Sequence, residues 1–306
     1  MKRSIAIQRP ARLSIERAQL RIDNEDGAYL VPLEDLSIIV LDHDAIQVTE
    51  PVLGTLGEMR VALVACNGKH LPSALLLPYE GHTLMAQILR GQIEASKPVK
   101  KRIWQTIVRA KIHSQARLLV EKRGTDFGLG TLATKVASGD PTNQEGGAAS
   151  IYFEKLFGEG FVRMRGVKVG EDTSQSDARI RIANAMLNYG YAVLRALAAR
   201  SVVLSGLHPA LGVHHHHREN TFSLADDLME PLRVLVDRQV YDTLEAESVL
   251  PEELSPSLKR EILKVLTAEV IWDGGLWPLD AALEAYAAGV RSCLLGERKA
   301  LEVPGA

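Results

Sequence analysis

Cysteine is nearly missing from this chain: there are two in 306 residues, Cys66 and Cys293. Each stands alone in an apolar run, "VALVACNG" and "VRSCLLG". Such isolation argues against a disulfide framework or a cysteine zinc site, and reads as two reduced core thiols of a cytoplasmic protein. Also lacking are an apolar run of membrane-spanning length and a secretory signal pattern in the opening "MKRSIAIQRPARLSIERAQ". Neither sign of charge is in surplus, with 36 Lys and Arg against 38 Asp and Glu and a formal net charge of −2. Proteins that grip phosphate backbones usually show a basic footprint, so any nucleic-acid contact here has to be local or completed by a partner. No internal repeat is present, nor any arrangement of nucleophile and base that would support covalent catalysis.

What is there is an ordinary globular composition, 46% hydrophobic and 24% charged, on a chain long enough for one or two domains with a real core. The opening third reads as β. "ARLSIERAQLRI" partly alternates apolar with polar, "GAYLVPLEDLSIIVLD" is rich in Val, Ile and Leu, and "VALVAC" and "SALLLP" are short apolar runs between turn signals. A short helix is expected around "PVLGTLGEM". From about Leu84 the apolar period changes to three and four, through "KKRIWQTIVRAKIHSQARLLVEK", "SDARIRIANAMLNYGYAVLRALAAR", "PSLKREILKVLTAEV" and others. The polar, Gly-containing stretch 166–177 reads as a mobile loop. The expectation is an α+β chain: a small β-sandwich-like domain over 1–80, then a larger all-α domain over 81–306.

Three places carry chemistry. Glu145, in "NQEGGAASIYF", opens an apolar helix; it reads either as a carboxylate favouring the helix dipole or as a metal ligand approached closely past small residues. In "SLADDLMEPLR", Asp227 and Glu230 are three apart and share a helical face, while Asp226 points elsewhere. That pair reads as solvated surface or, among Leu224, Leu228, Met229 and Leu232, as partly buried carboxylates in need of a cation. Pro231 should kink or start a helix beside Glu230. Between these acids lie four histidines, His214 to His217, internal and flanked by patterned sequence. Neighbouring side chains diverge on a helix or strand, so one ordered metal will not take all four. Imidazole with carboxylates around an open cation suits manganese or magnesium, and would also suit zinc.

Taken together, "QEGGAASIYFEKLF", "RIANAMLNYGYAVL", "GLHPALGVHHH" and "SLADDLMEPLRVLVD" closely resemble the signature of the CRISPR-associated spacer-acquisition integrase family, also described as CRISPR-associated endonuclease Cas one. "EDLSIIVLD", "VALVACNGKHLPSALLLP" and "KPVKKRIWQTIVRAKIHSQA" look like the branch found with type II systems. The resemblance implies Glu145, His215 and Glu230 as catalytic ligands of Mg²⁺ or Mn²⁺, with His215 picked by register after Gly212. It makes Asp227 a group behind the ligands or a second-metal ligand. One departure is His208, where the family pattern has an acid in a turn. The implied activity is that of a metal-dependent DNA integrase and endonuclease, of the hydrolase class, that inserts captured fragments into a repeat array. Implied partners are double-stranded DNA, a second copy of the chain joined through the β domain, a smaller CRISPR-associated protein and the type II effector nuclease, with no membrane. A non-catalytic DNA-binding scaffold is the alternative, and a small-phosphoester hydrolase a third. For holding DNA, the candidates are Lys97, Lys100, Lys101, Arg102, Arg109 and Lys111 in one cluster, and Arg163, Arg165 and Lys168 in another. Asn184 and Asn188 share a helical face as packing, capping or site-lining groups; Tyr189 and Tyr191 read as core aromatics.

Overall fold

A computed structural model describes residues 3–79, 82–164, 178–215, 218–247, 249–251 and 253–305. Eight strands and one helix fill its first part. Strands β1 (Arg3–Ile7), β5 (Leu36–Leu41), β7 (Ala62–Cys66) and β8 (Pro72–Leu76) form one sheet in the order β1-β5-β7-β8, parallel except for the β7–β8 pair. The second sheet is β4 (Gly27–Pro32), β3 (Gln19–Asn24), β2 (Ala11–Glu16) and β6 (Ile46–Val48), a meander with β6 added parallel to β2. Helix α1 (Glu50–Glu58) begins with Pro51 in its first turn, where a missing N–H costs nothing, and covers "PVLGTLGEM" as expected. Leu13, Leu20, Leu36, Ile39, Val52 and Leu56 pack between sheets and helix.

Strand β5 has no polar face, because both of its sides are covered. Ile39 joins that small core, whereas Ile38 and Val40, with Ala62 and Val64 of β7, join the core of the helical part. This explains the unbroken apolar run "SIIVL": it is a strand buried on both faces.

The helical part comprises α2 (Met85–Glu94), α3 (Lys97–Arg123), α4 (Leu129–Lys135), α5 (Gln144–Phe157), α6 (Ala178–Leu204), α7 (Ser223–Met229), α8 (Arg233–Ala246), α9 (Pro256–Leu263) and α10 (Leu279–Leu294). Helix α3 packs on α4, α5, α8 and α10, and α6 on α7, α8, α9 and α10. This part is not purely helical. Strands β9 (Glu269–Trp272) and β10 (Gly275–Pro278) form an antiparallel hairpin, so "PSLKREILKVLTAEV" is helix only to Leu263, passes through a 3₁₀ turn and ends as strand. The expectation of an all-α region fails there, since a run with Leu263, Val265, Leu266 and Val270 buried fits either period over so short a span.

The two parts are joined by buried polar contacts. Asp42, just after β5, accepts from Lys259 Nζ of α9 at 2.9 Å, with both side chains nearly inaccessible. The Arg200 guanidinium of α6 donates to the Arg60 carbonyl at 2.7 Å and pairs with Glu284 of α10. Among the described residues no helix is long and apolar enough to cross a membrane. The loop expected at 166–177 lies outside the described residues.

Candidate functional site

Glu145 lies in the first turn of α5, and the approach to that helix is heavily capped. Asp140 accepts the backbone N–H groups of Gln144 and Glu145, one on each oxygen, at 2.9 and 3.0 Å. Asn143, in the left-handed conformation that asparagine tolerates, accepts the N–H of Gly146. A Cβ at Gly146 would come within 2.5 Å of the Asn143 amide, so a side chain there would disturb the cap. Three otherwise orphaned donors are thereby satisfied, and the Glu145 carboxylate is held at a fixed exit from the helix.

Glu230 occupies the joint between α7 and α8, on a 3₁₀ turn spanning Glu230–Leu232. Pro231 cannot donate in a continuous α-helix, and the break falls beside it as expected. The Glu230 side chain is buried, with Oε1 3.0 Å from Arg233 of the next turn. Arg233 itself lies over the Tyr191 ring, 4.8 Å from its centre. Burial alone would raise the Glu230 pKa. Arg233 and Lys111 outweigh it and lower the value to about 2.

His215 is aimed by Asp227 of α7. The wholly buried Asp227 carboxylate accepts the backbone N–H groups of Val213, His214 and His215, and its Oδ1 is 2.6 Å from His215 Nδ1. A proton on Nδ1 pointing at a carboxylate leaves Nε2 with its lone pair free, the arrangement that orients metal-ligating histidines. The hydrogen bond to Asp227 raises the His215 pKa against the effect of burial, and the charges of Asp227, Glu230 and Glu145 add to the rise. His214 stacks flat on Trp104 of α3, centroids 4.1 Å apart, and the same indole meets His215 edge-on. Gly212 permits the turn: a Cβ there would lie 2.4 Å from the His215 carbonyl oxygen. His208 supports its own turn, its Nδ1 accepting the Ala210 N–H. His216 and His217 lie outside the described residues.

The point where the two glutamates meet is taken by Lys111 of α3. Its Nζ is 2.5 Å from Glu145 Oε1 and 2.7 Å from Glu230 Oε2. The second contact is close but out of line for a hydrogen bond, so Glu230 Oε2 is buried with none. Burial works against the Lys111 charge; Glu230 and Glu145 outweigh it and raise the pKa. The sequence grouped Lys111 with surface cations for DNA, but it is a buried counter-ion. Among the described residues, no three His, Cys, Asp or Glu side chains are already gathered closely enough to hold an ion. The donor types nevertheless fit one: two carboxylates, one of them with an unbonded buried oxygen, and an imidazole nitrogen, with an ammonium now between the carboxylates.

Other expected residues are spread more widely. Lys97, Lys101 and Arg102 are exposed and Lys100 half-buried on the first turns of α3. Arg109 is exposed, yet donates to the Val136 carbonyl. Arg163 is committed inward: it donates to Asn184 and Asn188 of α6 and lies over the Tyr191 ring. Asn184 also takes the Met164 N–H and donates to the Val162 carbonyl, so the two asparagines fasten segment 162–164 to α6. Arg165 and Lys168 lie outside the described residues. Tyr189 and Tyr191 are buried, as expected. Trp104, Asp140 and Arg233 were missed as site residues, and Lys111 was assigned to DNA; the Glu-x-x-Arg spacing of the last motif was the available signal for Arg233. A groove of about 650 Å³ beside α3, lined by His113, Arg117 and Asp126 among others, contains none of the site residues.

A β-rich unit docked on a helical body thus presents two carboxylates meeting at one ammonium and a carboxylate-oriented imidazole, donor types that a divalent cation also accepts. Comparison with known proteins narrows this. The model of the family described as CRISPR associated protein Cas1 matches residues 5–270. The CRISPR-associated endonuclease Cas1 of Neisseria meningitidis serogroup C (strain 8013) is 38% identical over 295 residues, covering 94% of this chain and 92% of that protein. Among solved structures, a casposase bound to integration product superposes with a TM-score of 0.76 at 19% identity, over 99% of this chain and 93% of that one. A chain of a Cas6-RT-Cas1--Cas2 complex does so with a TM-score of 0.70 at 16% identity, over 97% of this chain and 35% of that one. The chain belongs to the Cas1 family of CRISPR-associated proteins, and the Neisseria relative bears the name of an endonuclease.

Proposed function

We propose that this chain is a divalent-metal-dependent DNA integrase and endonuclease, with Glu145, Glu230 and His215 as its catalytic ligands. The observation that carries this reading is convergence. Glutamates 85 positions apart touch one cation, and their charges reach a third ligand-type side chain, His215, which a buried carboxylate orients. In the reaction, a 3′-hydroxyl of a captured fragment attacks a backbone phosphodiester at a repeat end, and the repeat strand's own 3′-oxygen leaves. One phosphodiester is exchanged for another, so the transfer itself needs no ATP.

Glu145, Glu230 and His215 Nε2 would hold Mg²⁺ or Mn²⁺, which when bound offsets charge at phosphorus and makes the attacking hydroxyl more acidic. The chain's own part is positional. Asp227 fixes the imidazole ring and supports its tautomer, Arg233 balances the buried Glu230, and the Asp140 and Asn143 caps fix the direction of Glu145. Lys97, Lys100, Lys101 and Arg102 would meet phosphates of the duplex and hold it without reading sequence. Their small number agrees with a DNA path shared among several chains. We therefore propose a homodimer, joined through residues 1–80, working with the smaller CRISPR-associated partner in the cytoplasm. The type II effector nuclease as a further partner rests on the N-terminal resemblance.

The test is strand joining. Supercoiled plasmid carrying a repeat, a short duplex with 3′-hydroxyl ends, the small partner and Mn²⁺ or Mg²⁺ are mixed with each protein. Wild type should join the fragment covalently, and Glu145→Ala and His215→Ala should not. Equal joining by wild type and Glu145→Ala would defeat the assignment; DNA binding without joining by either would favour a scaffold.

A further inference from the structure

Lys111 is the feature that the proposed chemistry does not use. Its side chain is nine-tenths buried and its ammonium bridges Glu145 and Glu230. The bridge is not a well-formed double hydrogen bond, because Glu230 Oε2 receives charge without a directed N–H. Glu230 does not depend on it either, since Oε1 keeps its own contact with Arg233. By contrast, two buried carboxylates brought together with no cation between them would repel strongly in so dry a place. An ammonium satisfies them with one charge and three donors, whereas a hard divalent ion needs several oxygens at once and the space the ammonium fills. The two cations therefore compete for the same pair of carboxylates.

We propose that Lys111 is a built-in counter-cation that holds Glu145 and Glu230 together in the metal-free protein and is displaced when a divalent ion seats. This rests on the metal reading of the site given above. The flexible four-carbon stem of lysine lets the ammonium swing without moving α3. Two effects follow: the ammonium stabilises the metal-free fold, and it opposes the metal. Metal binding has to overcome two ion pairs, so affinity is lower than the donor set alone would give. Removal of the lysine charge should reverse both, tightening metal binding and weakening the metal-free fold.

Mn²⁺ binding to the full chain is measured by calorimetry for wild type, Lys111→Gln, Lys111→Met and Glu145→Gln, with thermal unfolding of each in EDTA and in Mn²⁺. Lys111→Gln and Lys111→Met should bind Mn²⁺ at least tenfold more tightly than wild type. Both should melt lower than wild type in EDTA and recover in Mn²⁺; a variant that folds only with Mn²⁺ is the extreme of the same result. Equal or weaker Mn²⁺ binding by both variants, while wild type binds and Glu145→Gln does not, overturns the proposal and leaves the metal site standing. Variants that stay unfolded in saturating Mn²⁺ also overturn it, assigning Lys111 to packing. If wild type binds no Mn²⁺, the metal reading itself falls and takes the competition with it.

Discussion

Asp227 shows how much one side chain can fix. It is wholly buried and accepts three successive backbone N–H groups as well as the His215 ring. Asp227→Ala would leave buried donors without partners, costing about 1–3 kcal/mol of stability in denaturant unfolding. The freed imidazole should also bind Mn²⁺ about 10–100-fold more weakly by calorimetric titration; unchanged affinity would confine Asp227 to the turn. Asp237 behaves differently. Burial raises its pKa from 3.8 to about 6 despite hydrogen bonds from Tyr191 and Tyr152 and the nearby charges of Arg163 and Arg233. A carboxyl that holds its proton more tightly when folded stabilises the fold below the unfolded value, and that contribution is lost as pH rises through about 6. Asp237→Asn should therefore gain melting temperature relative to wild type between pH 4 and pH 6, and a parallel pair of curves would refute the shift. The three ligand-type residues were legible in the sequence because register within ordered motifs marks them. Lys111 was not, since a lysine in a basic run reads as surface. Its spacing held a clue: it stands four after Ile107 and three after Val108, on the buried stripe of α3.

At the scale of elements, the site is built from helix ends and breaks. Glu145 enters with the first turn of α5, Glu230 stands at the α7–α8 joint, and His215 rides a turn closed by Gly212. A methyl group at Gly212 would strike backbone, which cannot rotate away as a flexible side chain can. Gly212→Ala should cost about 1–3 kcal/mol in unfolding measurements and weaken Mn²⁺ binding by displacing His215. An undiminished Mn²⁺ affinity would show that the turn can relax without the ligand. The break at Pro231 and the short α1 could be read from proline chemistry. The β9–β10 hairpin was missed although its signal was present: Asp273–Gly274, both at positive φ between the paired Trp272 and Gly275, is the two-residue turn that joins antiparallel strands, whereas the bridge of Ile271 to Gly305 is decided by the finished fold.

At the scale of the whole molecule, the β unit and the helical body meet where one face of β5 and β7 completes the helical core, and they share a buried ion pair. Asp42 and Lys259 are 217 positions apart, and no local pattern joins them. Lys259→Met would leave the Asp42 carboxylate buried with His70 and the Cys66 thiol as its remaining partners, a loss of about 3–5 kcal/mol for such a pair. Adding Asp42→Asn should restore part of it, and a double-mutant cycle by thermal or chemical unfolding reads the coupling. Additive effects would mean that the pair does not fasten the two parts together.

Gln92, a buried amide on α2, bonds the His208 N–H and the carbonyls of His208 and Leu211. The stretch leading to the imidazole is thus moored at one end by the first helix after the β unit, and at the other by Asp227. Any change in how α2 seats would therefore reach the histidine, four residues beyond the last of those bonds.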